Sequence, residues 1–353
     1  MKKLLHIIGT RPQIIKLASM LKSSPPDIIN IVIDTNQHYE NSMQRNLYED
    51  FKINTESIIF LKNEKSLSNN VSAISNLITH EIQIIKPDIV LVYGDTYTTL
   101  AGALSAKNNK IKSIHIEAGL RSFSDDQIEE TNRILADNIC DYLFCPTQTA
   151  LENLQKEGLG RKAYFTGDIM LDIFLNTEFK MIKSPLPENY YVATLHRSEN
   201  IENKKKLESI FQSFRNIPNL IIPLHHSLKD KLSEYDLYDS LPLNIKFLEP
   251  LTYSEILHTI SQSKGVITDS GGLQKDSFWL NKPTLTLRSN TEWVETLQSG
   301  GNILVNNFPA DLFALINSIN IIEEDKFSLF GNGSAVKNIC LLYTSDAADE
   351  EDS

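Results

Sequence analysis

Carboxylates stand at the ends of apolar, β-rich runs in the first half of the chain. Asp95 comes shortly after the run Ile89–Tyr93. Glu117 directly follows the run Ser113–Ile116, and Glu129 comes after the next loop. Because the carboxyl ends of parallel strands meet at one edge of a sheet, these side chains are expected to converge there. Burial and like charges at such an edge can bring a carboxylate into the working range of a general base. The pattern predicts an acid/base site, and helix capping or pairing with arginine is the alternative for each residue alone.

Histidines end two apolar runs in the second half of the chain. His196 and Arg197 follow the run 190–195, and His225 follows the run 220–224. At such places histidine can balance phosphate charge or transfer a proton. A single histidine is more often structural, but its position at a predicted strand end favours a functional site.

Two turns have the composition of anion sites. Gly9-Thr10-Arg11-Pro12 follows the first apolar run, and a proline at a helix start is compatible with free N–H groups that face the sheet edge. Arg11 and Lys16 add positive charge there. In the second half, Ser270-Gly271-Gly272 lies between an apolar run and a helical pattern. Its glycines let the backbone approach a phosphate, and the serine can donate a hydrogen bond. It matches neither the dinucleotide fingerprint nor the P-loop, and an ordinary turn is the alternative at both places.

The elements that must position these residues alternate between short β-rich runs and longer helical patterns, which is typical of parallel sheets with crossover helices. In the first half the predicted strands are Leu4–Ile8, Ile29–Asp34, Ile89–Tyr93, Ser113–Ile116 and Asp141–Cys145. The pattern then restarts, with predicted strands Tyr190–Leu195, Leu220–Leu224, Ile245–Leu248, Gly265–Thr268, Thr284–Leu287 and Ile303–Val305. The sequence therefore predicts an α/β protein with two Rossmann-like, doubly wound domains that face each other across a cleft.

The predicted boundaries follow from this repeat of the pattern. Residues 1–178 form the predicted first domain, 179–189 a proline-containing linker, and 190–340 the second domain. Two capping boxes are predicted at helix starts, Thr149 with Glu152 and Thr252 with Glu255. Residues 341–353 lack periodicity and end in an acidic run, which predicts a disordered tail. The other interpretation of this tail is that the natural C-terminus is missing.

Bulk composition excludes several classes of protein. The 353 residues include 41% apolar and 22% charged side chains, as in an ordinary globular protein. A formal net charge of −11 argues against nucleic acid or an anionic membrane surface as the main partner. The three cysteines have no metal-type spacing and fit a reducing compartment. With no signal-peptide core and no membrane-length apolar stretch, a cytoplasmic protein is expected.

Taken together, these segments resemble the non-hydrolysing UDP-N-acetylglucosamine 2-epimerase family from about Lys3 to about Asn338. The matching segments are Gly9–Lys16, Gln37-His38-Tyr39, Tyr93–Thr96, His115–Arg121, Glu129–Arg133, Thr166-Gly167-Asp168, Leu195-His196-Arg197, Asp269–Gln274 and Thr291–Glu295. Gln13, Lys275 and the run Thr291–Glu295 are similar to the branch that acts on UDP-N-acetylglucosamine or on UDP-2,3-diacetamido uronic acids.

The resemblance implies a GT-B-like fold, a homodimer, no metal and no added cofactor, and a UDP-sugar as the substrate. It also implies an elimination in which a base takes the C2 proton while UDP leaves C1, followed by re-addition with the proton returning to the opposite face. By the same resemblance, the acid/base candidates are Asp95, Glu117 and Glu129, with His225 as a phosphate-side or acid group. The substrate-binding residues that it implies are Arg11, Lys16, Arg133, His196, Arg197, Ser270, Gly271, Gly272 and Asp276.

The sequence departs from the family pattern in a few places. Ile128 stands where many relatives have proline, and Asn36 stands where glycine is usual. Asp276, the residue expected to bind the ribose hydroxyls, stands where many relatives have the longer glutamate. Four alternatives stay open: a UDP-2,3-diacetamido-uronate 2-epimerase, a hydrolysing 2-epimerase, a GT-B glycosyltransferase and an inactive UDP-sugar-binding protein.

Overall fold

The computed structural model describes residues 1–37, 47–62, 70–124, 127–306, 311–320 and 325–349, with side chains as far as Leu342. His38 and Tyr39 of the family motif, part of the loop before Glu129, and the end of the predicted tail lie outside these residues. The chain divides into two compact units. The first is Met1–Asn176 with Phe327–Ser353, and the second is Thr177–Lys326.

A seven-stranded parallel sheet forms the centre of the first unit. Its strands are β1 (Lys2–Ile8), β2 (Ile28–Asp34), β3 (Ile58–Phe60), β4 (Ile89–Tyr93), β5 (Lys112–Ile116), β6 (Tyr142–Cys145) and β7 (Ala163–Phe165). They lie in the order β3-β2-β1-β4-β5-β6-β7. The order reverses between β1 and β4, which is the point where ligands bind in open α/β sheets.

Helices alternate with these strands. They are α1 (Arg11–Lys22), α2 (Val71–Ile85), α3 (Tyr97–Asn108), α4 (Ile128–Ile139), α5 (Gln148–Lys156) and α6 (Ile169–Leu175). Helix α3 is buried along most of its length because its small residues let it approach the sheet. A Cβ on Gly102 would lie 2.7 Å from Val92 Cγ1. This close packing holds the start of α3, and Asp95 just before it, at the end of β4.

The second unit repeats the same topology with six parallel strands. They are β8 (Tyr191–Thr194), β9 (Leu220–Pro223), β10 (Ile245–Leu248), β11 (Val266–Thr268), β12 (Thr284–Thr286) and β13 (Asn302–Leu304), in the order β10-β9-β8-β11-β12-β13. Its helices are α7 (Ser198–Ile201), α8 (Lys204–Ser213), α9 (His226–Glu234), α10 (Tyr253–Gln262), α11 (Gly271–Trp279), α12 (Val294–Gln298) and α13 (Leu312–Asn317). The prediction of two doubly wound α/β domains is confirmed.

The C-terminal helix α14 (Ala335–Asp349) belongs to the first unit, not to the second as the predicted boundary of 340 implied. Val336 and Ile339 are buried in the first unit's core together with Leu17 of α1. The Asp172 carboxylate accepts hydrogen bonds from the backbone N–H groups of Ala335 (3.0 Å) and Val336 (2.9 Å). These contacts join distant parts of the sequence, and a local pattern does not reveal them. Within the described residues, the predicted tail continues this helix as far as Asp349.

Smaller differences concern helix starts and sheet edges. The predicted capping box of Thr252 with Glu255 is present at the start of α10. The predicted box of Thr149 with Glu152 is wrong, because Thr147 caps α5 and its hydroxyl accepts from the backbone of Ala150. The edge strands β3 and β7 have three residues each, too few to show a β pattern. None of the helices in the described ranges is long and apolar enough to cross a membrane.

We expect Asp172→Asn to detach α14 and to lower the free energy of unfolding by about 1–3 kcal/mol, since one amide N–H would then face a buried backbone donor. Urea denaturation of the variant and of the wild type measures this difference. Asp27→Asn, at an exposed position of the same unit, serves as the control and should change stability by less than about 0.5 kcal/mol. Equal stability of the two variants would contradict this role of Asp172.

Candidate active site

The turn between β1 and α1 is held by the buried side chain of Gln13, for which the sequence pattern predicts no structural role. Its Oε1 accepts hydrogen bonds from the backbone N–H groups of Gly9 (2.8 Å) and Thr10 (3.2 Å). Its Nε2 donates to the Tyr93 carbonyl at 2.7 Å, at the end of β4. Gln13 therefore fixes the β1–α1 turn to the strand end that precedes Asp95. Arg11, the first residue of α1, is partly exposed on this turn.

Lys16 and Glu117 form an ion pair at the same edge of the first sheet. Lys16 is buried on α1, and its ammonium passes beside Gly94, where an added Cβ would lie 3.6 Å from Nζ. Glu117 follows β5 with a φ of 73°, and its N–H donates to the Phe144 carbonyl at 3.1 Å. A non-glycine residue in the left-handed region costs about 1–3 kcal/mol and is often found at functional sites. The strained backbone directs the Glu117 carboxylate to Lys16.

A second ion pair joins Asp95 to Arg133 of α4. The buried Arg133 guanidinium also donates to Glu130 at 2.9 Å, so it bridges two carboxylates. Asn132 donates to the Asp95 backbone carbonyl at 3.2 Å. Asp95 does not cap α3, because Thr96 takes that position. The structure thus brings Asp95 and Arg133 together, and both lie on elements of the first unit.

Glu129 and Glu130 differ sharply in their surroundings. Glu129 is exposed on the first turn of α4. Glu130 is buried and accepts from the backbone N–H groups of Ser122 (3.0 Å) and Phe123 (3.1 Å) as well as from Arg133. The sequence predicts an acid/base role for Glu129 and no role for Glu130. The spacing of Glu130 and Arg133, one helical turn apart, is the signal that indicates their contact.

In the second unit, Asp269 organises the end of β8. Its buried carboxylate accepts from His196 Nδ1 at 3.0 Å and from the backbone N–H of Arg197 at 3.0 Å. Burial disfavours the charged carboxylate, but the His196 contact and the hydrogen-bond donors outweigh burial and lower the pKa of Asp269 to about 2. Because Nδ1 of His196 binds Asp269, the Nε2 atom is the one left for a ligand. The side chain of His196 is 38% exposed.

His225 lies beside His196, with ring centroids 5.8 Å apart. His225 caps α9, and its Nδ1 accepts from the backbone N–H of Ser227, a contact that assigns the ring proton of the neutral form to Nε2. The two histidines predicted from separate strand ends are therefore brought together. Arg197, beside them in sequence, reaches only to within 4.0 Å of Glu199 and stays partly exposed.

The start of α11 has the form expected of an anion site. Ser270 is the N-cap residue, and its hydroxyl accepts from the Leu273 N–H at 3.4 Å. Gly271 and Gly272 follow at the first two helical positions. A Cβ on Gly271 would lie 2.7 Å from Glu292 Oε1, so a larger residue at this point would displace the Glu292 side chain. The free N–H groups and the positive end of the helix dipole favour a negatively charged group here.

Asp276 and Lys275 lie further along α11. The buried Asp276 carboxylate accepts from the Tyr253 hydroxyl at 2.9 Å. The buried Lys275 ammonium lies 3.5 Å from the centre of the Trp293 ring, a cation–π contact. Within the described ranges, no group of three or more His, Cys, Asp or Glu side chains is placed to hold a metal ion.

Comparison with known proteins identifies relatives along the whole chain. The family model described as UDP-N-acetylglucosamine 2-epimerase matches residues 21–343. A protein named UDP-N-acetylglucosamine 2-epimerase from Methanocaldococcus jannaschii is 36% identical, with 97% of this chain and 99% of the relative covered. A UDP-2,3-diacetamido-2,3-dideoxy-D-glucuronate 2-epimerase from Pseudomonas aeruginosa is 35% identical, with 96% and 98% covered.

Solved structures show the same similarity. The crystal structure of the M. jannaschii UDP-GlcNAc 2-epimerase in complex with UDP-GlcNAc and UDP superposes with a TM-score of 0.84 and 34% identity, covering 97% of this chain and 99% of that one. The Neisseria meningitidis UDP-GlcNAc 2-epimerase bound to UDP-GlcNAc gives a TM-score of 0.79 at 27% identity, with 97% and 100% covered.

The neighbouring glutamates of α4 give a matched pair of variants. Glu130→Gln should lower the free energy of unfolding by about 1.5–3 kcal/mol, because hydrogen bonds to a charged group are lost and an amide N–H then faces other donors. Glu129→Gln, at the exposed position, should change it by less than about 0.5 kcal/mol. Chemical denaturation of both variants measures these changes. A larger loss of stability in Glu129→Gln than in Glu130→Gln would contradict the structural role of Glu130.

Proposed function

The chain belongs to the UDP-N-acetylglucosamine 2-epimerase family, and from this premise we propose that it is a non-hydrolysing enzyme that interconverts UDP-N-acetylglucosamine and UDP-N-acetylmannosamine. The observation that supports this most is the pair of ion pairs at the edge of the first sheet, Glu117 with Lys16 and Asp95 with Arg133. Inversion at carbon requires one group that removes a proton and one that returns it to the other face. Positioned carboxylates are suited to both tasks.

In the proposed reaction a carboxylate takes the proton from C2 of the sugar. The electrons of the C2–H bond form a C1–C2 double bond, and the electrons of the C1–O bond leave with UDP. The resulting glycal then accepts UDP again at C1 while C2 receives a proton on the opposite face. Each bond broken in the first half is formed again in the second half, so no oxidant, reductant or cofactor is consumed.

We assign the proton transfers to Asp95, Glu117 and Glu129, all in the first unit. Lys16 and Arg133 contact two of these carboxylates, and with Arg11 they are the cations proposed to stabilise the pyrophosphate as it departs. Glu129 is exposed in this structure, a position from which its side chain is free to reach a substrate.

We assign UDP binding to the second unit. The start of α11, with Ser270, Gly271 and Gly272, offers donors to phosphate oxygens. His225 and His196 present Nε2 atoms at a neighbouring strand end, and Arg197 adds charge. Asp276 is the proposed partner of the ribose hydroxyls, and the Tyr253 hydroxyl keeps its carboxylate oriented.

A second candidate substrate is a UDP-2,3-diacetamido uronic acid. The observation in its favour is that the P. aeruginosa relative named for such a substrate is as similar to this chain as the M. jannaschii relative, at 35% and 36% identity. Parallel assays with the two UDP-sugars at equal concentration decide between them by kcat/KM. Accumulation of free UDP with either sugar would instead identify a hydrolysing enzyme.

We further propose that the protein is a cytoplasmic homodimer. Light scattering of the purified protein tests whether it is a dimer.

With UDP-N-acetylglucosamine alone in deuterated water, the wild-type protein should epimerise the sugar and exchange its C2 hydrogen, as followed by proton NMR. Glu117→Gln should lower the exchange rate by about 100-fold or more, since a positioned acid or base contributes on the order of 100- to 10,000-fold. The Gln amide oxygen can still accept from Lys16, so the variant should fold and bind UDP nearly as well as the wild type.

Glu152→Gln, at an exposed position on α5, is the matched control and should keep the wild-type exchange rate. A wild-type protein that binds UDP but exchanges no C2 hydrogen with either UDP-sugar would overturn the proposed function. A folded Glu117→Gln protein that exchanges at the wild-type rate would remove Glu117 from the mechanism and leave the family assignment in place.

A further inference from the structure

A sealed polar network lies directly behind the carboxylates of the first unit. His115 on β5, Asp137 on α4 and the Arg121 side chain are all nearly inaccessible to solvent. His115 Nε2 lies 2.6 Å from the Gly94 carbonyl, and its Nδ1 lies 2.7 Å from Asp137 Oδ1. Asp137 Oδ2 accepts from Arg121 at 2.8 Å and from the Gly119 N–H at 3.2 Å. None of these side chains is used in the reaction proposed above.

The chemistry of the partners fixes the direction of each bond. A carbonyl oxygen only accepts, so His115 Nε2 donates to Gly94. Burial disfavours the charged form of Asp137, but His115 and Arg121 outweigh it and hold the pKa of this carboxyl below its usual value. An ionised Asp137 only accepts, so His115 Nδ1 donates as well. Arg121 is in turn paired at 2.6 Å with Glu157, which lies at the surface.

The network holds the backbone next to each of the two carboxylates. Gly94 directly precedes Asp95, and its carbonyl is bound by His115. Gly119 lies two residues after Glu117, and its N–H is bound by Asp137. Gly94, Glu117 and Gly119 all have left-handed backbone conformations, with φ of 66°, 73° and 81°. Because neither turn belongs to a regular element, bonds from outside the turn must fix its shape.

Stability alone gives little reason for such an arrangement. Moving charges into the interior costs several kcal/mol per ion, and apolar residues that pack equally well are often as stable or more so. Displacing a reacting group by about 1 Å, by contrast, can cost on the order of 100-fold in rate. The network is therefore best explained by the geometry that it imposes on the two turns.

We propose that His115 and Asp137 are positioning residues that set the Asp95 and Glu117 turns for proton transfer. This inference rests on the proposed function. His115 joins the two turns through its bond to Gly94, and Asp137 orients the imidazole while it fixes Gly119. Neither side chain contacts substrate in this proposal, and their effect is on turnover and not on UDP binding.

Two conservative variants of His115 each keep one of the two hydrogen bonds made by its ring nitrogens and remove the other. A glutamine places its amide nitrogen near the position of Nε2, so His115→Gln keeps the donor to Gly94 and loses the bond to Asp137. An asparagine places its amide nitrogen near the position of Nδ1, so His115→Asn keeps the bond to Asp137 and loses the link to Gly94. Both remove one buried hydrogen bond and should lower the melting temperature by similar amounts.

The C2-hydrogen exchange assay and UDP calorimetry compare these variants with the wild type. We expect His115→Asn to lower kcat by about 100-fold or more, and His115→Gln to retain at least about a tenth of wild-type activity. The KM and the UDP dissociation constant should stay within about threefold in both. His80→Asn, at an exposed histidine on α2, is the control for the substitution and should keep full activity.

If both variants fold and lose kcat equally, or if His115→Gln loses more, the positioning role is overturned. The proposed function is unaffected by that result as long as the wild-type protein is active. If His115→Asn does not fold, Asp137→Asn replaces it, because its amide N–H faces the donors of Gly119 and Arg121. That variant should lose at least about tenfold in kcat with unchanged UDP affinity, and wild-type turnover in it would overturn the proposal. A wild-type protein without exchange activity would remove the proposed function and this inference with it.

Discussion

The Lys16–Glu117 ion pair is the contact on which the geometry of the first unit's site depends. The topology places β4 between β1 and β5, so a side chain on the helix after β1 must pass the end of β4 to reach the end of β5. The Lys16 ammonium passes beside Gly94 and contacts the carboxylate of Glu117, whose backbone is in the left-handed conformation. Three loops are thereby brought together at the edge where the strand order reverses. The Lys16 ammonium gives the Glu117 carboxylate a partner of opposite charge at this edge.

Both units use a buried aspartate to orient a histidine, but the outcome differs. In the first unit the imidazole of His115 is sealed, and both of its nitrogens are occupied by protein groups. In the second unit Asp269 binds one nitrogen of His196 and leaves the other accessible. By our proposals, the same pair of side chains serves to shape a turn in the first unit and to bind a ligand in the second. The two histidines differ in solvent access: His115 is fully buried, whereas the His196 side chain is partly exposed.

Much of the fold could be predicted because strands and helices leave local patterns of apolar residues in the sequence. Apolar runs end close to the observed ends of β4 and β10, and the restart of the pattern after residue 189 indicates the second sheet. The rest depends on tertiary contacts. The short edge strands gain their structure from neighbours, and α14 docks through Asp172, which is far away in sequence. For the site, strand ends pointed to Asp95, Glu117 and the histidines. Glu130 is buried and its neighbour Glu129 is exposed. The sequence alone does not show this difference.

The return of the chain to the first unit at Phe327 makes the second unit an insertion in the first. During synthesis, the segment that carries α14 emerges only after the intervening stretch of about 150 residues has been made. At roughly 5–20 residues per second, that interval is on the order of ten seconds. For this time Asp172 and the face of α1 around Leu17 lack the partners that they have in the finished protein. The first unit to be translated is therefore the last to be completed, and its apolar face stays exposed to aggregation until α14 has been made.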